Sequence, residues 1–231
     1  RRDFTFNSIY CDTKGNIYDP NGGIEDLMNK KVRFIGDINL RIDEDYLRIL
    51  RFVRFSLDIS GFFEKKALGV CNHNSSKLKK LSYERRMQEL EKIIMNSKIE
   101  KNEIFNELRK LMESSLESKI NTNNFSRLCE LEAKYNDRSF ERRLKFFFRS
   151  KKNIPLFISE SSDKKLKKRL VKIRFFKNYL DDELNIKLYN VEKILLIDQM
   201  FFDLSDNLIT ENKFRELYNK DINFRKKKFP L

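Results

Sequence analysis

Residues 42–55 constrain this chain more than any other stretch. Three acids, Asp43, Glu44 and Asp45, are followed by arginine at every third position, Arg48, Arg51 and Arg54. On a helix turning about 100° per residue, Tyr46, Leu47, Leu50, Val53 and Leu57 gather into one apolar stripe. The spacing therefore predicts a single helix over 41–57 that has to bury this stripe against other elements. Asp45 falls on its far edge, with Arg48 about 60° round and Arg51 about 60° further. A carboxylate beside a guanidinium offers fixed acceptors next to a fork of donors. That pair can hydrogen-bond the polar edge of a nucleobase, and further arginines can hold phosphates. An amphipathic helix with a solvated basic face has the same pattern, so this stretch by itself leaves both readings open.

The flanking sequence separates into two kinds. Residues 3–11 alternate in the manner of a strand, with Phe4, Phe6 and Tyr10 on one face. Residues 12–16 contain Gly15 and read as a hairpin turn, with Ile17 and Tyr18 on the return strand. Pro20, Asn21, Gly22 and Gly23 end that strand and lead into a short helix through Met28. Residues 32–35 form a further strand and 37–39 a turn. Only part of a sheet is present, so these strands need partners from outside the sequence.

Beyond Arg41 the pattern is helical. A helix over 62–71 ends in the polar run 72–76, and Ser82 caps another that buries Met87, Leu90, Ile93 and Ile94. Phe105, Leu108 and Leu111 keep helical spacing together with Ile104, as do Phe125, Leu128 and Leu131. Residues 140–148 and 164–180 form basic helices separated at Pro155. Later helices cover 186–202 and 211–218, and the basic tail from Arg225 is expected to fray. The phenylalanines 146, 147, 148, 175 and 176 belong to a core rather than to stacking platforms.

Composition narrows the chemistry. The 231 residues are 40% hydrophobic, enough for one sizeable domain or two small ones, and no apolar run is long enough to span a membrane. Three distant cysteines, Cys11, Cys71 and Cys129, without a CxxC, read as reduced thiols of a cytoplasmic protein. With His73 as the sole histidine, neither a zinc site nor His-dependent nucleophilic catalysis can be assembled. The formal charge of +14 invites a polyanion, and its distribution is uneven. Residues 138–180 hold 15 Lys and Arg against 3 acids. The chain opens at Arg1 without Met or a leader, and is expected to be a piece of a longer protein.

Five elements then occur in order: RRDFTFN (1–7), DPNGGIEDL (19–27), VRFIGD (32–37), EDYLRILRFVRF (44–55) and LSYERRMQEL (81–90). Together they resemble the bacterial tRNA nucleotidyltransferase (CCA-adding enzyme) and poly(A) polymerase family over roughly residues 1–95. The resemblance implies an α+β, mostly α fold. Residues 1–40 would be the C-terminal part of a nucleotidyltransferase head sheet. Residues 41–97 would be a helical, nucleotide-selecting neck, and 98–231 a helical body and tail that bind tRNA. It implies CTP and ATP as substrates and CCA addition to tRNA ends as the activity. Poly(A) polymerase shares every motif, and a non-catalytic RNA-binding remnant or split half is a third reading.

By the same resemblance, Arg2 and Asp3 lie along the triphosphate and ribose, Asp3 favouring a ribonucleotide through its 2′-hydroxyl. Asp45 and Arg48 hydrogen-bond the Watson–Crick edge of the incoming base, and Arg51 and Arg54 complete the phosphate-facing edge. Glu44 positions Arg48 or caps the helix. Many family members carry Pro where this chain has Tyr46. In the family, magnesium is held by an Asp-x-Asp that normally precedes the RRDFT element, so no metal ligand is expected within this chain. Asp43, Glu44 and Asp45 match that spacing formally, but on a helix, and are rejected. Asp181 and Asp182 read as an exposed helix junction. Catalysis is then expected to require an upstream segment, in the same protein or as a separate N-terminal head chain. The basic window suits a tRNA acceptor arm, with Arg142, Arg143, Lys145, Lys164, Lys165, Lys167, Lys168 and Arg169 on its phosphates.

Overall fold

The computed structural model describes residues 2–59, 62–96, 105–148, 158, 163–172 and 193–226. Arg1, Ile104, Arg149, Lys151, Lys152, Pro155, Arg174, Phe175, Phe176, Lys177, Asp181, Asp182 and the start of the helix expected at 186 lie outside them, as does the tail from 227. The described chain is α+β and mostly helical, and it divides into two compact units. The first runs to Ile120 and includes Ile158. The second takes in the rest, so the divide is coarser than the three segments expected from the sequence.

In the first unit, the opening residues form a 3-10 turn, Thr5–Ser8, instead of the expected strand over 3–11. Local hydrogen bonds explain this. The Ser8 hydroxyl donates to the Thr5 carbonyl (2.7 Å), and the Thr5 hydroxyl donates to the Asp26 carboxylate. Phe4 is consequently buried while Tyr10 is exposed, and the two do not share a face. The hairpin follows as read, with β1 (Tyr10–Cys11) antiparallel to β2 (Ile17–Tyr18). Asp12 closes its turn by accepting from the amides of Lys14 (2.8 Å) and Asn16 (2.9 Å).

Helix α1 (Gly23–Met28) starts on the Asp19 carboxylate, which accepts from the Gly23 and Ile24 amides. Gly23 admits no side chain, because a Cβ there would lie 2.3 Å from the Thr5 carbonyl oxygen. Strand β3 (Lys31–Val32) runs parallel to β4 (Phe62–Phe63), which displaces the start of the helix expected at 62. Just after β3, Arg33 and Ile35 hydrogen-bond the main chain of Thr5 and Asp3, at 3.0 Å each.

The single helix expected over 41–57 is two, α2 (Ile38–Glu44) and α3 (Leu47–Asp58). Asp37 caps α2 through the Leu40 amide. The break falls at Asp45, whose backbone is extended (φ −158°, ψ 107°). Its carboxylate accepts from the Leu47 amide (3.1 Å) and its carbonyl from the Arg48 amide (3.1 Å). A short acid at this point satisfies the first-turn donors of α3 and so starts a new helix. Leu47, Leu50, Val53 and Leu57 are buried as expected. Ile49 and Phe52 are buried too, so α3 is enclosed on more than one face. Helices α4 (Lys65–Asn74), α5 (Tyr83–Ile94) and α6 (Phe105–Leu116) complete the unit, with a 3-10 turn, Ser75–Lys80, before α5. Ser82 caps α5 as read, and α3 packs against α5 and α6.

The second unit comprises α7 (Phe125–Lys134), α8 (Phe140–Phe148), α9 (Lys164–Lys172), α10 (Lys193–Ser205) and α11 (Glu211–Lys226). Its core is aromatic, with Phe125, Phe146, Phe147, Phe201, Phe202 and Phe214 all buried. Phe146 and Phe147 are therefore core residues, as the sequence suggested. Among the described residues no helix is long and apolar enough to cross a membrane.

Candidate functional site

The opening segment and the start of α3 meet at Asp3. Its carboxylate is buried and faces three arginines. Arg48 Nε lies 2.7 Å from Oδ1, Arg51 Nη1 2.7 Å from Oδ2, and Arg41 Nη2 3.8 Å from Oδ1. Glu44 adds a second acid, its Oε2 2.6 Å from Arg41 Nη1 and 2.8 Å from Arg48 Nη1. Arg41 and Arg48 also donate to the carbonyls of Arg2 and Arg41 respectively. Burial works against the Arg48 charge, but hydrogen bonds to Asp3 and Glu44 outweigh it and hold its pKa above the ordinary value.

Donors remain within this cluster. Among the described residues Arg48 Nη2 makes no hydrogen bond, and neither does the buried Arg51 Nε. The Arg51 side chain is 33% exposed. A guanidinium held on one edge by carboxylates and open on the other is oriented to receive a ligand acceptor.

The remaining predicted residues stand differently. Arg2 contributes its carbonyl, and its side chain is exposed. Asp45 lies outside either helix, its backbone extended between α2 and α3, so the helical spacing read from the sequence does not set its place relative to Arg48; its Oδ2 accepts from Arg85 Nη2 on α5 (2.8 Å). Arg54 gives its Nε to Glu89 (2.8 Å), also on α5, and approaches Asp58 at 3.6 Å. Arg41, Arg85 and Glu89 are participants that sequence reasoning missed. The i, i+4 spacing of Arg85 and Glu89 was the available signal.

A divalent cation has no cage in the 43–45 run. Asp43 pairs with Lys77, Glu44 with Arg41 and Arg48, and Asp45 with Arg85. No cluster of three potential ligands occurs among the described residues. These carboxylates do not fit magnesium.

In the second unit the structure corrects part of the expected RNA-binding set. Arg142 and Arg143 are each 1% exposed. Arg142 bonds Asp198 (2.8 Å), Glu132 (3.1 Å) and Asp137 (3.0 Å), and Arg143 bonds Glu132 (2.6 Å). Neither can reach a phosphate at the surface from this position. Burial pushes the Glu132 and Asp198 carboxyls up, and the facing arginines pull them back. Arg169 is tied to Glu141 and Asp198, both at 3.2 Å. Lys145 is half-buried, and burial lowers its pKa. On α9, Lys164, Lys165 and Lys168 are exposed and Lys167 is half-buried.

Residues 1–33 match the family described as the Poly A polymerase head domain. CCA tRNA nucleotidyltransferase 1, mitochondrial, of Danio rerio is 43% identical over 100 residues, 42% of this chain and 23% of that relative. The CCA-adding enzyme of Lactobacillus helveticus is 41% identical over 93 residues, 40% of this chain and 23% of that relative. The chain is similar to CCA-adding enzymes and, over residues 1–33, to the poly(A) polymerase head domain. Its match spans about a quarter of the length of these relatives.

Family structures share the fold over nearly the whole chain. The Bacillus stearothermophilus CCA-adding enzyme in complex with CTP superposes with a TM-score of 0.67 at 20% identity, covering 96% of this chain and 57% of that one. A tRNA nucleotidyltransferase complexed with a primer tRNA and an incoming ATP analog gives 0.66 at 20% identity, covering 98% and 72%.

Proposed function

We propose that this chain carries the nucleotide-selecting and tRNA-binding parts of a tRNA nucleotidyltransferase that adds CCA to tRNA 3′ ends from CTP and ATP. The observation that carries the reading is the buried Asp3–Arg48 pair. It joins the first and fourth family elements, 45 residues apart, and among the described residues leaves guanidinium donors unused. Relatives named as CCA-adding enzymes, and family structures holding CTP and an ATP analog, support the choice of substrates.

In this reading Arg48 and Asp45 face the edge of the incoming base. Asp3 orients Arg48 and Arg51, and Arg51 and Arg2 meet the triphosphate. Arg54 acts from a distance by fixing α3 to α5. Magnesium, which the family resemblance implies, would be held by carboxylates outside these residues, and activity would need that segment in the same protein or in a partner chain. The tRNA is gripped by Lys164, Lys165, Lys167 and Lys168, which lie in the first turns of α9, a helix whose own sequence contains no acid. Cys11, Cys71 and Cys129 are free thiols, which suits a reducing compartment such as the cytoplasm.

The deciding experiment is Arg48→Ala in the protein with a complete head domain. Discrimination between CTP on tRNA lacking its end and ATP on tRNA ending in CC should collapse, while tRNA affinity holds. Unchanged discrimination contradicts the template role. ATP-only tailing of unrelated RNA by the unmutated protein would assign a poly(A) polymerase instead.

A further inference from the structure

Helix α5 touches the selecting segment at two points, Arg54–Glu89 and Asp45–Arg85, and the proposed function leaves the second without a role. We propose that Arg85 is a positioning residue for nucleotide selection, holding the Asp45 carboxylate in the orientation from which it meets the incoming base. The inference deepens the proposed function and rests on it.

Asp45 occupies the gap between α2 and α3 in an extended conformation, so no helical turn fixes its side chain. Two donors do so instead, from different directions. The Leu47 amide donates to Oδ1 at 3.1 Å, and Arg85 Nη2 donates to Oδ2 at 2.8 Å. With one oxygen on a main-chain amide and the other on a guanidinium, the carboxylate cannot rotate without losing a bond. Each oxygen keeps a second lone pair, sufficient for an amino or imino donor of a base.

One turn further along α5, Glu89 accepts from Arg54 Nε at 2.8 Å. Positions i and i+4 share a helix face, so one face of α5 holds the selecting segment at both ends with opposite charges. The two contacts differ in exposure. Arg54 and Glu89 are 16% and 8% exposed, whereas Arg85 and Asp45 are 48% and 27% exposed. An exposed ion pair adds little to folding stability. Losing Arg85 should therefore disturb the direction of Asp45 and leave the unit folded, which separates positioning from bracing.

The test measures kcat/KM for CTP and ATP addition in the protein with a complete head domain, with thermal unfolding followed in parallel. Arg85→Met should reduce discrimination against the wrong nucleotide roughly tenfold. Its Tm should stay within about 2 °C of the unmutated protein. Arg85→Lys, which restores one donor, should recover part of the loss. Full discrimination in Arg85→Met alongside its collapse in Arg48→Ala would overturn the inference and spare the reading beneath it. An equal loss for both nucleotides with a fall in Tm would also overturn it, leaving Arg85 a structural residue. Intact discrimination in Arg48→Ala would remove the template reading and this inference with it.

Discussion

Arg48 and Arg142 are both buried arginines in basic stretches of sequence, and the structure treats them in opposite ways. Arg142 spends its donors on Glu132, Asp137 and Asp198, and its guanidinium lies 4.0 Å from the centre of the Phe201 ring. Arg48 has Asp3 and Glu44 on one side and, on the other, an Nη2 unused among the described residues, beside the part-exposed Arg51. The first arrangement is closed and self-neutralising, so it serves as scaffold. The second is oriented but incomplete, as a recognition site has to be before its ligand arrives. Residue type and local charge do not distinguish the two; the partner of Nη2 does, an Asp137 carboxylate for Arg142 and none among the described residues for Arg48.

The sharpest way to break this comparison is Arg142→Met. It takes one of two arginine partners from each of the buried acids Glu132 and Asp198 and should cost about 3 kcal/mol, read as a lowered denaturation midpoint of the second unit. A loss below about 1 kcal/mol would mean that Arg142 is no more committed than Arg48. Gly23→Ala comes next. It drives a methyl into the Thr5 carbonyl and should cost about 1–3 kcal/mol in chemical denaturation, because backbone must move on both sides.

Replacing Lys164, Lys165, Lys167 and Lys168 by Glu should leave stability within about 1 kcal/mol, yet weaken tRNA binding and flatten its dependence on salt. An unaltered salt slope would remove RNA from α9. The smallest effect concerns thiols. Burial pushes Cys71 up to about 12 from 9.0. The neutral thiol is thus favoured by folding, and its contribution is complete below pH 9 and lost as pH rises toward 12. At pH 8 a thiol reagent should label exposed Cys11 and spare Cys71 until the chain unfolds, as peptide mapping would show.

Several local features were legible because their causes are local. Asp12 and Gly15 announced the hairpin, Ser82 its helix, and Gly22 and Gly23 a turn before α1. The break at Asp45 was not. Hydrophobic spacing runs straight through it, and only the competition of the Asp45 side chain for the Leu47 amide shows where one helix stops. The charge window failed for a different reason. The acids that neutralise Arg142 and Arg143 are Glu132, Asp137 and Asp198, which lie just before 138 and well after 180. Counting along the chain cannot see partners that helix packing supplies from outside the counted stretch. Asp3 and Arg48 were legible only as members of two separate motifs; their contact is a property of the fold.

The main chain on either side of Asp3 and Phe4 is laced to the residues after β3, and Thr5 is pressed against Gly23. The acid that aims Arg48 is thus set in place as the polypeptide folds. Under the proposed function, a nucleotide entering there would find its partners already arranged, and the entropy of ordering them would not be charged against its affinity.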